Sequence, residues 1–162
     1  MKVLIDQNRR ADEDNPRGYY EFEAVKKTKD NSDWLAGSEG CAVKMVYRLL
    51  YDLPPDRSYR VLFMRRKLEE VLASQRTMLQ RNGATNDGAS DEEMARLFMA
   101  ELNAFAKWAA RQQHIRMIDV DYNRILREPR GELEKVKDFL GVELRIDAMV
   151  DVIDESLYRN RK

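Results

Sequence analysis

The stretch Tyr59-Arg-Val-Leu-Phe-Met-Arg-Arg-Lys-Leu-Glu-Glu-Val-Leu-Ala-Ser-Gln-Arg76 carries side chains suited to holding an anion, Arg65, Arg66 and Ser74 among them. A short aliphatic run ends in Arg65 and Arg66, and a helical segment bearing Ser74 follows directly. An arginine at the carboxyl end of a strand can clamp a phosphate through two parallel, charge-assisted hydrogen bonds. Ser74 lies two turns further on, at the flank of the helix's apolar stripe, and can add a hydroxyl donor. The same residues can equally be solvated strand-end charges and a helix-surface serine. Spacing alone leaves both open.

The other chemistry-bearing residues exclude more than they suggest. Cys41 is the single cysteine and His114 the single histidine. That rules out an intrachain disulfide, a thiolate metal cluster and a multi-histidine metal site. Cys41 precedes an apolar run and reads as a small buried hydrophobe, and His114 as a loop or cap histidine. Asp12, Glu13, Asp14 and Glu21 lack a ligand spacing and read as a solvated acidic loop, so no metal is expected. Lys44, Tyr47 and Arg48 are polar candidates for a base, but a lysine of ordinary pKa is a poor base at neutral pH, and Lys44 and Arg48 read as structural or solvent-facing. Asn15-Pro16-Arg17-Gly18 predicts a turn leading into a helix that starts near Tyr20.

The elements that would position these residues alternate between short apolar runs and longer amphipathic ones. Runs at 2–6, 42–46, 59–64 and 115–120 have strand length and composition. Between 68 and 79, Leu68, Val71, Leu72, Met78 and Leu79 make one helical stripe. Ser90-Asp-Glu-Glu93 is a capping box, opening a helix with Met94, Leu97, Phe98, Leu102, Phe105 and Trp108 on one face. A third helix begins near Pro129, carries Leu133, Val136 and Leu140, and stops at Gly141. A last one uses Ile146, Met149, Val150 and Ile153. Residues 81–89 are rich in turn formers and read as an exposed loop. Strands followed by returning helices predict an α/β domain in three layers, a mostly parallel sheet with helices on both faces. Ligands of such sheets bind at the carboxyl ends of the strands.

Lys+Arg and Asp+Glu both number 29 among the 162 residues. This balance gives no pull toward nucleic acid or a membrane surface. No run approaches the roughly 18 apolar residues of a membrane-spanning helix, and the polar start does not resemble a signal peptide. A single domain covering 1–162, in the cytoplasm, is the expectation.

Strand, Arg66, seven residues and Ser74 on the following helix resembles the element with which sulfotransferases hold the 3′-phosphate of 3′-phosphoadenosine-5′-phosphosulfate. Asp12-Glu-Asp-Asn-Pro-Arg-Gly-Tyr-Tyr-Glu21 is similar to the Asn-Pro-x-Gly-x-x-Glu stretch of bacterial sulfotransferase-like proteins. Asp121-Tyr-Asn-Arg-Ile-Leu-Arg-Glu-Pro129, followed by Phe139-Leu-Gly141, resembles their ending. The resemblance implies a P-loop NTPase-like fold, and sulfuryl transfer from that donor to a hydroxyl or amine, without a metal. It implies Arg66, Ser74 and Arg65 on the nucleotide, with Arg159 or Arg161 from the basic ending 157–162. Arg17, Tyr19, Tyr20 and Lys44 fall on the acceptor side.

The family's first strand and phosphate-binding loop have no counterpart in this sequence, and neither has the histidine base of many eukaryotic members. Three alternatives follow. The chain is a sulfotransferase with its start upstream; or it is a non-catalytic relative that binds adenosine 3′,5′-bisphosphate; or it is an oligomerisation module, a homodimer that fills the gap of the absent strand.

Overall fold

A computed structural model describes residues 1–6, 10–12, 15–81 and 90–158. The chain falls into two compact units, Met1–Arg57 and Ser58–Lys162. Residues 82–89 of the loop expected at 81–89, the acids Glu13 and Asp14, and Arg159 and Arg161 lie outside the described residues.

The first unit is built from turns. Strands β1 (Val3–Leu4) and β2 (Ala42–Val43) pair in parallel, Val3 opposite Ala42. Both are shorter than their apolar runs, because polar side chains leave the ladder early. Asp6 turns away to accept the Glu23 amide at 2.6 Å, and its own amide donates to the Glu21 carbonyl. Lys44 instead sends its ammonium to the Tyr19 carbonyl at 2.8 Å. Short 3-10 helices lie at Glu23–Lys27 and Asp33–Leu35, between the two strands, and at Tyr47–Asp52 after them. The helix expected near Tyr20 is the first of these, delayed to Glu23 because Tyr20 holds a left-handed φ of 50°. An L-residue there cannot begin a right-handed helix. Tyr19, Val25, Leu35, Leu50 and Leu53 are the unit's buried apolar side chains among the described residues. Trp34 is half-buried, its indole donating to the Thr28 hydroxyl at 3.1 Å and its ring edge-on to Phe22.

The second unit is regular α/β. Strands β3 (Tyr59–Arg65) and β4 (Ile115–Asp121) pair in parallel over seven residues, from Tyr59 opposite Ile115 to Arg65 opposite Asp121. Helices α1 (Leu68–Arg81) and α2 (Asp91–Ala109) make the crossover between them. Ser90 caps α2 as its sequence predicts, its hydroxyl accepting from the Glu93 amide at 3.2 Å. A cap of this kind contributes about 1 kcal/mol. Phe105 is the centre of the core, 1% exposed and stacked on Phe63 with ring centres 5.4 Å apart. Leu97, expected on that buried face, is 56% exposed because it falls on the fringe of the stripe centred on Phe105.

After β4 the chain makes α3 (Tyr122–Arg127), α4 (Pro129–Leu140) and α5 (Ile146–Asp151). The run 122–127 carries a helix that apolar periodicity does not announce. Asp121 caps it by accepting the Arg124 amide at 2.9 Å, and Pro129 stops it, since proline offers no amide to continue the ladder. The same proline opens α4, which ends at Gly141 with a left-handed φ of 62°. The described residues therefore form a mixed α/β structure in which both strand pairs are parallel.

Candidate functional site

Because β3 and β4 run side by side in the same direction, their carboxyl ends deliver neighbouring residues to one edge. Arg65 and Arg66 leave β3 there, and Tyr122 and Asn123 leave β4 into the first turn of α3. The first turn of α1 adds Glu70. Tyr158, at the end of a 3-10 turn Glu155–Leu157, adds a phenol.

The two arginines have different surroundings. Arg65 pairs with Asp119 of β4 at 3.1 Å, its guanidinium 4.5 Å from the centre of the Phe63 ring. Arg66 donates from Nε to Glu70 Oε2 at 2.9 Å. Its guanidinium also lies 5.1 Å from the Tyr122 ring centre and 5.5 Å from that of Tyr158. The two rings meet edge to face. Among the described residues nothing engages Arg66 Nη1 or Nη2.

Glu70 is the hub. Its side chain is fully buried, a placement that would be costly for an unpaired carboxylate. It is met by three donors. Besides Arg66, Asn123 Nδ2 reaches Oε1 at 2.9 Å and Oε2 at 3.2 Å, and the Tyr158 hydroxyl donates to Oε1. Asn123 also donates to the Tyr158 oxygen at 2.8 Å, and its own carbonyl accepts the Lys67 amide at 3.3 Å. Burial pushes the Glu70 pKa up, but the hydrogen bonds from Tyr158, Arg66 and Asn123, with the charge of Arg66, hold it below the ordinary value. The Tyr158 phenol is raised, chiefly because it donates to Glu70 and also because it is desolvated. The cluster thus holds an ionised carboxylate, a neutral phenol and a guanidinium cation.

The remaining candidates are placed as follows. Ser74 is half-buried on α1, and its hydroxyl makes no hydrogen bond among the described residues. In the first unit, Asn15-Pro16-Arg17-Gly18 is the turn its sequence predicts, the Gly18 amide donating to the Asn15 carbonyl at 2.9 Å. Arg17 and Tyr20 are exposed, whereas Tyr19 is buried and donates its hydroxyl to Asp12 at 2.6 Å. Lys44 is the tether to the Tyr19 carbonyl. Cys41 is half-buried. His114 sits in the turn before β4, its Nε2 buried without a partner among the described residues and its ring edge-on to Tyr59. Among the described residues no three metal-ligating side chains gather, and no helix is long and apolar enough to cross a membrane.

A family model described as the sulfotransferase family matches residues 14–146. The chain belongs to the sulfotransferase family. The match takes in the turn at 15–18, the β3–Arg66–α1 element, β4 and α4. No curated protein and no solved structure gives a match to this sulfotransferase-family chain.

Sequence reasoning missed Glu70, Asn123 and Tyr158. Glu70 left a trace, since an Arg and a Glu four positions apart at a helix start are an ion-pair spacing. Tyr158 left none, because it meets Glu70 across 88 positions of the chain.

Proposed function

We propose that this protein binds 3′-phosphoadenosine-5′-phosphosulfate and transfers its sulfuryl group to a hydroxyl or amine, releasing adenosine 3′,5′-bisphosphate. The observation that carries the reading is Arg66. It is a half-buried guanidinium at the carboxyl edge of parallel strands, held by Nε and flat-ring contacts, with Nη1 and Nη2 unengaged among the described residues. That donor set fits a phosphate, which takes two guanidinium hydrogens at once. Family membership supplies the chemistry in which such a phosphate is the handle of the donor.

On this reading the fold extends the parallel pair at β3 and β4 toward a three-layer, P-loop-like arrangement. Arg66 takes the 3′-phosphate and Ser74 adds a hydroxyl along α1. Arg65, held by Asp119, contributes positive potential at the same edge. Catalysis in such a transfer rests on positioning and charge stabilisation rather than on a covalent enzyme intermediate.

The test is calorimetric titration with adenosine 3′,5′-bisphosphate, repeated on Arg66→Ala. Micromolar binding that drops at least about tenfold in the variant is expected, as for loss of a charge-assisted hydrogen bond. Binding without transfer to any of a panel of hydroxyl and amine acceptors would identify a non-catalytic nucleotide-binding member. No heat from the folded wild-type protein would sink the donor site.

A further inference from the structure

We infer that Glu70 is the positioning residue of Arg66: its buried carboxylate, fixed by Asn123 and Tyr158, holds the guanidinium by Nε and leaves Nη1 and Nη2 for an anionic ligand. This rests on Arg66 being the phosphate contact proposed above. A long cationic side chain ordinarily spreads over many rotamers, and freezing them on binding weakens affinity. Arg66 is held in advance. The 2.9 Å bond to Glu70 and the rings of Tyr122 and Tyr158 constrain it from separate elements. Glu70 itself cannot swing, because Asn123 reaches both of its oxygens and Tyr158 donates to one.

Charge and positioning predict opposite signs. A carboxylate beside an anion site repels the ligand, so on charge alone its removal tightens binding. If Glu70 positions Arg66, its removal weakens binding even though a negative charge has gone. Asn123 and Tyr158 act one step further back, through Glu70.

The decisive experiment reads Arg66 directly. Nitrogen-15 spectra of the arginine Nε–H groups, with the Arg66 signal assigned by its loss in Arg66→Lys, are recorded for the wild type, Glu70→Gln and Tyr158→Phe. Each protein is also titrated with adenosine 3′,5′-bisphosphate, and circular dichroism checks its fold. The wild type should show an Arg66 Nε–H that exchanges slowly with water. In Glu70→Gln that proton should exchange fast and nucleotide affinity should fall about tenfold. Tyr158→Phe, which keeps the ion pair, should lose a few-fold in affinity and show intermediate exchange. Equal or tighter binding by folded Glu70→Gln, or an Arg66 signal indifferent to the change, overturns the positioning role and leaves nucleotide binding intact. If Glu70→Gln does not fold, unchanged exchange and affinity in Tyr158→Phe overturn it instead. A wild type that binds no nucleotide defeats the functional reading alone, since the Nε–H comparison still decides whether Glu70 sets Arg66.

Discussion

Residues 1–57 and residues 58–162 bury apolar side chains by opposite means. The first unit has two-residue strands, short 3-10 helices and, among the described residues, four at positive φ, namely Gly18, Tyr20, Gly37 and Gly40. The second has seven-residue strands, helices of up to nineteen residues and, among described residues, a single positive φ at Gly141. In the second unit hydrogen bonding is repetitive, so backbone order follows from element formation. The first unit satisfies its backbone piecemeal, through Asp6, Asp12, Thr28, Lys44 and Arg57. Order that depends on individual polar side chains is more local and less cooperative.

The contrast can be broken most forcefully at Phe105. Phe105→Ala removes a buried ring from the stack with Phe63 and Trp108 and should cost about 3–5 kcal/mol. Urea unfolding followed by hydrogen exchange should show accelerated opening along β3 and β4. An effect below about 1 kcal/mol would mean that the regular unit is no better packed than the irregular one.

A smaller effect is expected from acid. The folded Glu70 pKa is depressed below its ordinary value of 4.5. Its contribution is therefore fully present above that value and is lost as pH falls through the lower folded pKa. Melting temperatures of the second unit should decline below pH 4.5, and Glu70→Gln should flatten that decline. An unchanged acid limb in the variant would remove Glu70 from the account of stability.

The smallest change is expected at Tyr20. Its side chain is 56% exposed and its φ is 50°, so Tyr20→Gly relieves a strained backbone while giving up little packing. A gain under about 1 kcal/mol is expected, read as slower exchange of amides within 1–57. Destabilisation would show that the ring supports the turn.

The same contrast explains what could be read in advance. In the second unit the β3 and β4 runs, the Ser90 cap, and the Pro129 start and Gly141 stop of α4 were all legible, because periodicity and capping chemistry are local. The short strands of the first unit were overextended, since a run of apolar residues does not reveal that Asp6 or Lys44 will leave the ladder. Arg66 was legible by type and place, as an arginine at the carboxyl end of a strand. Its partners were not, because Asn123 and Tyr158 reach Glu70 only through tertiary structure. Arg65 shows the limit of position alone, for its neighbour Asp119 belongs to the paired strand.

One consequence of the Glu70 cluster concerns time. Tyr158 and Glu70 stand 88 positions apart in the chain, and the Lys67–Asn123 contact spans 56. Closing so long a loop is entropically unfavourable until intervening contacts shorten it. The α2 cap and helix, by contrast, need only nearby residues. Secondary structure can therefore form while Arg66 still lacks its anchor, and the cluster closes only after the β3–β4 pairing has brought Asn123 beside α1. A chain halted before that closure would carry native helices and an arginine still free to wander.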